Sequence, residues 1–347
     1  MFDINTLIRD NIKNLRPYSS ARDEFSGRAS VYLDANENSF GSPLNKNYHR
    51  YPDPLQKELK EKIAGIKGVP ANHIFLGNGS DECIDLLLRA FCTPGQDNVI
   101  ICPPTYGMYA VSAQINDIAV REVPLDAGFQ LQPDPLAAHI DAHTKLIFLC
   151  SPNNPTGNAL VRADIEMLLN NFDGLVVVDE AYINFSRYHS FIQELTEYPN
   201  LVVLQTFSKA WGLAALRLGM LFSSLPVVDV LNKIKPPYNI NQLTQELAME
   251  ALGNIDQVNA TTRQLVVERE KLKLDLEQLP FVSLVYPSDA NFLLVKMDRA
   301  SARYQAMVAK GIIVRDRSKV LLCGDCLRIT IGKPEENQAL LSALTAT

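Results

Sequence analysis

Five short apolar runs, at 74–76, 99–102, 145–150, 175–178 and 201–205, stand among stretches of helical period. That alternation restricts the chain more than any other feature. Short runs rich in Val, Ile and Leu read as strands covered on both faces. After the first run, DECIDLLLRAF places Ile84, Leu87, Leu88 and Phe91 at i, i+3, i+4 and i+7, one face of a helix. The pattern predicts an α/β chain with a mainly parallel central sheet wrapped by helices. Ligands of such sheets gather at the carboxyl ends of strands.

The rest of the chain divides around that pattern. Residues 1–45 are polar and irregular, and read as an N-terminal arm that contributes to a small domain and to the substrate site. Residues 46–240 hold the runs and read as the large domain. Pro236 and Pro237 interrupt, and a charged helical region follows over 242–278. The tail reads strand 291–297, helix 301–308, strand 312–315, strand 326–331, helix 335–344. Residues 241–347 are therefore expected to form a linking helix and a smaller α+β domain.

Composition narrows the function. The chain is 47% apolar and 21% charged with a formal net charge of -6. Such a chain builds an ordinary core, and no basic surplus favours nucleic acid. No apolar run approaches the roughly 18 residues of a membrane span; the stretch 213–231 is broken by Arg217, Pro226 and Asp229. The early Asp and Arg argue against a secretory signal. Six cysteines, mostly inside apolar runs, read as reduced core residues and place the chain in the cytoplasm. Cys323 and Cys326 have CxxC spacing but no second pair, and His139 and His143 lack an HExxH pattern, so no metal is expected.

The loops after the strands carry the chemistry. TFSK at 206–209 ends the last run. A lone lysine there is most simply a surface residue, but Thr206 and Ser208 add hydroxyls and Arg217 adds a planar fork for a phosphate. GNGSD at 77–81 precedes a helix, whose N-terminus favours an anion; its plain alternative is an N-cap by Ser80. Together they form two halves of a phosphate cup beside an amine able to form a Schiff base. Asp179 ends the run GLVVVD and suits a pyridinium nitrogen, which needs a carboxylate partner. Tyr182 and the amide of Asn154, in SPNNPTG, suit a phenolic oxygen. Tyr106, in PPTY, suits stacking on a flat ring.

SPNNPTG, VVDEAY and TFSKAWGLAALRLG, in this order, resemble the fold-type I aminotransferases, enzymes of pyridoxal 5'-phosphate. The spacing of Asp179 and Lys209 fits as well. LDANENSFG, YPDP at 51–54, GNGSDE, PPTYGMY and CLRITIG further resemble the histidinol-phosphate aminotransferases, over nearly the whole chain. The resemblance implies the fold-type I architecture and a homodimer with shared active sites. It implies Lys209 as the Schiff-base and proton-transfer residue, Asp179 on the ring nitrogen, and Asn154 and Tyr182 on the ring oxygen. Tyr106 would stack on the ring, and Ser80, Asp81, Thr206, Ser208 and Arg217 would hold the cofactor phosphate. Tyr51 would reach that phosphate from the other subunit. Arg328 would hold the anionic end of the substrate, with Tyr18, Arg22 and Asn36 of the arm beside it. One departure is Ala215, where such enzymes often carry Gly.

The implied reaction passes an amino group from histidinol phosphate to 2-oxoglutarate, giving glutamate. Threonine-phosphate decarboxylases and aromatic amino-acid aminotransferases resemble the chain in the same cofactor residues, because substrate orientation decides which bond breaks. A cofactor-binding regulator would carry a basic DNA-binding segment, and none is visible.

Overall fold

The computed structural model describes residues 2–19 and 29–345. Seven strands form the main sheet: β1 (Ile74–Asn78), β2 (Asn98–Ile101), β3 (Ala119–Glu122), β4 (Thr144–Cys150), β5 (Leu175–Asp179), β6 (Leu201–Thr206) and β7 (Leu218–Ser223). Their order is β1-β7-β6-β5-β4-β2-β3. Strands β2 to β6 pair in parallel, and β7 runs antiparallel to both of its neighbours. Alternate residues face opposite cores. Val176, Val178, Leu201 and Val203 enter one cluster, and Leu175, Val177, Val202 and Leu204 enter the other. Both faces are buried, which is why the runs are continuously apolar. Burying each such side chain contributes about 1.5–3 kcal/mol.

A second sheet of β8 (Val282–Val285), β9 (Phe292–Met297), β10 (Arg315–Asp316) and β11 (Cys326–Thr330) has the order β10-β11-β9-β8, all antiparallel. Leu272 and Leu276, from the helix Ile255–Glu277, share its core with Leu293, Val295, Leu327 and Ile329. Tyr182 and Phe292, ring centroids 5.2 Å apart, join the two sheets' territories. The short helices Ile4–Leu7 and Asp10–Lys13 place Leu7 and Ile12 in the core of the large sheet.

The structure differs from the expected elements in five places. β3 is an edge strand without buried residues, so no apolar run betrays it. β7 is wholly buried, but its pattern runs into the following helix Leu225–Ile234 and hides the boundary. β8 is half exposed. The helical region 242–278 is two helices, Gln242–Leu252 and Ile255–Glu277, parted at Gly253 and Asn254, and the strand expected at 312–315 is only Arg315–Asp316.

Candidate active site

A cleft of about 680 Å³ opens where β1, β4, β5 and β6 end. Because β7 runs backwards, it begins at this same edge and brings Arg217 there. The backbone at Arg217 has φ 51°, a left-handed conformation that costs a non-glycine residue about 1–2 kcal/mol. Its carbonyl accepts the N–H of Gly79 at 2.8 Å, and its Nη2 lies 3.5 Å from Asp81.

Two glycines make this approach possible. A Cβ on Gly79, at φ 72°, would stand 2.7 Å from Arg217 Nη2; a Cβ on Gly219 would stand 2.3 Å from the backbone of Gly79 and Ser80. The helix Gly79–Phe91 thus begins against β7, with Ser80 and Asp81 in its first turn facing the cleft. The N-cap position is Asn78, whose N–H donates to Glu82 at 2.5 Å, so Ser80 is not the cap. Thr206 and Ser208 line the other side of this cup. The Thr206 hydroxyl accepts the Ser208 N–H at 3.0 Å.

Asp179 is buried at the end of β5. Its Oδ2 accepts the hydroxyl of Tyr109 at 2.7 Å, and its Oδ1 accepts the N–H of Ala181 at 3.1 Å. Burial pushes its carboxyl above the ordinary range, and these two hydrogen bonds oppose that push. Tyr106 donates its hydroxyl to Asp81 at 3.0 Å. Lys209 lies in the β6–β7 hairpin, its carbonyl accepting the N–H of Gly212 at 3.0 Å. Its Nζ stands 5.6 Å from the centre of the buried Tyr182 ring. Burial first, then the charge of Arg328, holds the Lys209 amine below the usual lysine range. A larger share of it is therefore the free, nucleophilic amine.

The opposite wall is cationic. Arg328 on β11 donates from Nη1 to Asn154 Oδ1 at 2.6 Å. Arg315 is its register partner on β10, and Arg317 follows. All three line the cleft, and among the described residues none has a carboxylate within ion-pairing distance. Arg328 Nε and Arg317 Nε are buried without hydrogen-bond partners among the described residues. Burial and the neighbouring guanidinium charges push Arg328 and Arg317 below their ordinary range. Such a wall is built to receive an anion.

Three residues singled out in the sequence lie elsewhere. Tyr51 is 51% exposed and stacks on Tyr238 at 4.4 Å, outside the cleft. Tyr18 lines a second cavity of about 510 Å³ with Arg9 and Lys233. Asn36 is exposed, with φ 54°. Arg22 lies outside the described residues. Three residues of the cleft region were not singled out: Tyr109, Arg315 and Arg317. The arginines stand two apart in VRDRS, Arg315 in β10 and Arg317 just past its end, and that spacing of two cations was the available signal. Tyr109 had none beyond its place in PPTYGMY.

These groups fit pyridoxal phosphate. The glycine-lined cup with Arg217 suits its phosphate, buried Asp179 suits a cationic ring nitrogen, and the Lys209 amine suits its aldehyde. The family description "Aminotransferase class I and II" matches residues 31–344. The chain is similar to the histidinol-phosphate aminotransferase of Parabacteroides distasonis, 55% identical over 344 residues and covering 99% of each protein. Among solved structures it is similar to the histidinol-phosphate aminotransferase of Clostridium acetobutylicum, with a TM-score of 0.79 at 21% identity over 86% of this chain and 91% of that one. It is also similar to the L-threonine-O-3-phosphate decarboxylase of Porphyromonas gingivalis, with a TM-score of 0.73 at 24% identity over 86% and 90%. These last two likenesses show a shared fold.

Proposed function

The chain belongs to the class I and II aminotransferases, and on that footing we propose that it passes the amino group of histidinol phosphate to 2-oxoglutarate, in histidine biosynthesis. The products are imidazole acetol phosphate and glutamate. The observation that carries the choice of substrate is the wall of Arg315, Arg317 and Arg328, with two buried guanidinium nitrogens lacking partners among the described residues. A phosphate dianion satisfies several guanidinium groups at once, and a carboxylate of the second substrate still satisfies one.

When bound, pyridoxal phosphate supplies the aldehyde that takes up the amino group and the ring that accepts the electron pair. The protein does the rest. Arg217, with Ser80, Asp81, Thr206 and Ser208, holds the cofactor phosphate, and Tyr106 covers the ring. Asp179 holds a proton on the ring nitrogen. Asn154 and Tyr182 orient the ring oxygen. Lys209 is the covalent anchor, and its free amine then carries a proton to and from the substrate carbon. Arg328 sets the substrate's anionic end, and so decides which bond faces Lys209.

The same reading makes the active form a homodimer in which Tyr51 of each subunit reaches the other's cofactor phosphate. Its support is the exposure of Tyr51 together with Val31, Leu33, Phe40 and Leu44, apolar side chains that a lone chain leaves in water. Tyr18, Arg22 and Asn36 of the arm would close over the substrate. The six free, buried cysteines suit the reducing cytoplasm; among the described residues no helix is long and apolar enough to cross a membrane.

The test is a coupled assay. Purified protein loaded with pyridoxal phosphate is given histidinol phosphate and 2-oxoglutarate, and glutamate is measured. Turnover that exceeds that with phenylalanine or aspartate supports the reading. Carbon dioxide released from threonine phosphate, with histidinol phosphate untouched, replaces it with decarboxylation.

A further inference from the structure

Tyr109 is a fully buried tyrosine, on the helix Met108–Ile115, that the chemistry above does not use. Its ring stacks on Phe148 of β4 at 4.9 Å and 12°, and meets Tyr106 edge-on at 5.5 Å. Its hydroxyl donates to Asp179 Oδ2 at 2.7 Å. The Cys150 thiol is its other neighbour. A buried phenol this tightly packed keeps its oxygen beside Asp179, and of its two neighbours the carboxylate is the stronger acceptor for the hydroxyl proton.

We propose that Tyr109 is a positioning residue: its hydroxyl keeps Asp179 an ionised carboxylate, so that the shared proton rests on the cofactor's ring nitrogen rather than on Asp179. The inference rests on the reading that Asp179 partners that nitrogen. Two groups compete for one proton inside a buried pocket. Burial, and the charge of Asp81, favour a protonated Asp179. A donor on Oδ2 stabilises only the carboxylate form, and the Ala181 N–H and the Lys209 charge act the same way. Tyr109 opposes burial more than either of these. A neutral carboxylic acid would hand the ring no positive charge, and the ring would be a poorer electron sink. Tyr106 and Tyr109 thus serve different carboxylates, Tyr106 donating to Asp81 and Tyr109 to Asp179.

The test uses the full-length protein loaded with pyridoxal phosphate labelled with nitrogen-15 in the ring. Wild type, Tyr109→Phe and Asp179→Asn are compared at neutral pH. The readouts are the ring-nitrogen chemical shift, cofactor affinity by equilibrium dialysis, and the Tm of the cofactor-free chain. A hydrogen bond to a charged group corresponds to about a tenfold or greater change in an equilibrium. In Tyr109→Phe the nitrogen resonance should therefore move toward its unprotonated position and cofactor affinity should fall about tenfold. The stack on Phe148 remains, so the fold should persist. Wild-type resonance and affinity in Tyr109→Phe, with both changed in Asp179→Asn, overturn the role of Tyr109 and leave Asp179 in place. No change in Asp179→Asn overturns the reading of Asp179 and the proposal with it. If Tyr109→Phe does not fold, fluorotyrosine at 109 replaces it. Its fluorine resonance should move on cofactor loading, and move less in Asp179→Asn. A resonance that responds equally in both backgrounds, or not at all, overturns the proposal.

Discussion

Arg328 donates to Asn154 at 2.6 Å across 174 residues of sequence. The proposed substrate anchor and a proposed cofactor ligand are thus one contact, made between the two sheets. Arg328→Lys keeps the charge and loses the fork. We expect kcat/KM for histidinol phosphate to fall about 10–100-fold. With Asn154→Ala the change should be non-additive, with a coupling of about 0.5–3 kcal/mol, as for residues in direct contact. A double-mutant cycle measures it; strict additivity would show that the contact carries no function.

Lys209 gives a chemical and a thermodynamic signature. Borohydride should fix the cofactor to the peptide carrying Lys209, as read by mass spectrometry, and Lys209→Ala should lose at least about 10²–10⁴-fold in turnover.

The depressed Lys209 value also fixes a sign. Between that value and the ordinary lysine range of the unfolded chain, the unfolded state holds the extra proton. Stability of the cofactor-free protein therefore rises with pH across that window and is lost as pH falls through the folded value. Lys209→Met should be the more stable at neutral pH, and its advantage should shrink toward alkaline pH. Tm measured against pH for both proteins checks this; a constant gap would contradict it.

For Tyr51, the prediction is complementation. Tyr51→Phe and Lys209→Ala are each expected to be weak or inactive alone. Hybrids of the two should carry one intact site if each subunit lends Tyr51 to the other. Hybrid dimers verified by mass that show no recovered activity would count against a shared site.

Gly219 tests the cup. A Cβ there would meet the backbone of Gly79 and Ser80 at 2.3 Å, and backbone cannot swing aside. Gly219→Ala should lower stability by roughly 1–3 kcal/mol, in line with overpacking. It should also weaken cofactor binding, because the helix start and β7 must separate. Denaturant unfolding and cofactor titration measure both. Unchanged cofactor affinity would separate this glycine from the cup.

Much of this site was legible because strand ends mark it. Asn154, Asp179 and Lys209 each follow an apolar run, and those runs were legible because both sheet faces are buried. Arg315 and Arg317 sit in or beside a strand of two residues, which leaves no apolar pattern to read. Tyr109 was hidden for another reason: a tyrosine and the carboxylate it steers are brought together only by the packing of a helix over β4 and β5. The arm residues Tyr18 and Asn36 stand outside the cleft, and no periodic pattern in the arm's sequence says where its residues pack.

The hairpin of β6 and β7 has one more consequence. Its two strands are in register from Thr206↔Gly219 onward, so residues 207–217 span a gap of fixed width. Lys209, the proposed covalent anchor, and Arg217, the proposed phosphate fork, both ride on that span. On that reading the hairpin is a gauge for the cofactor's length, set by chain count rather than by any side chain. Insertions in the exposed turn near Tyr188 leave the gauge untouched. One residue added between Lys209 and Arg217 would leave both sheets paired and put the two grips out of step.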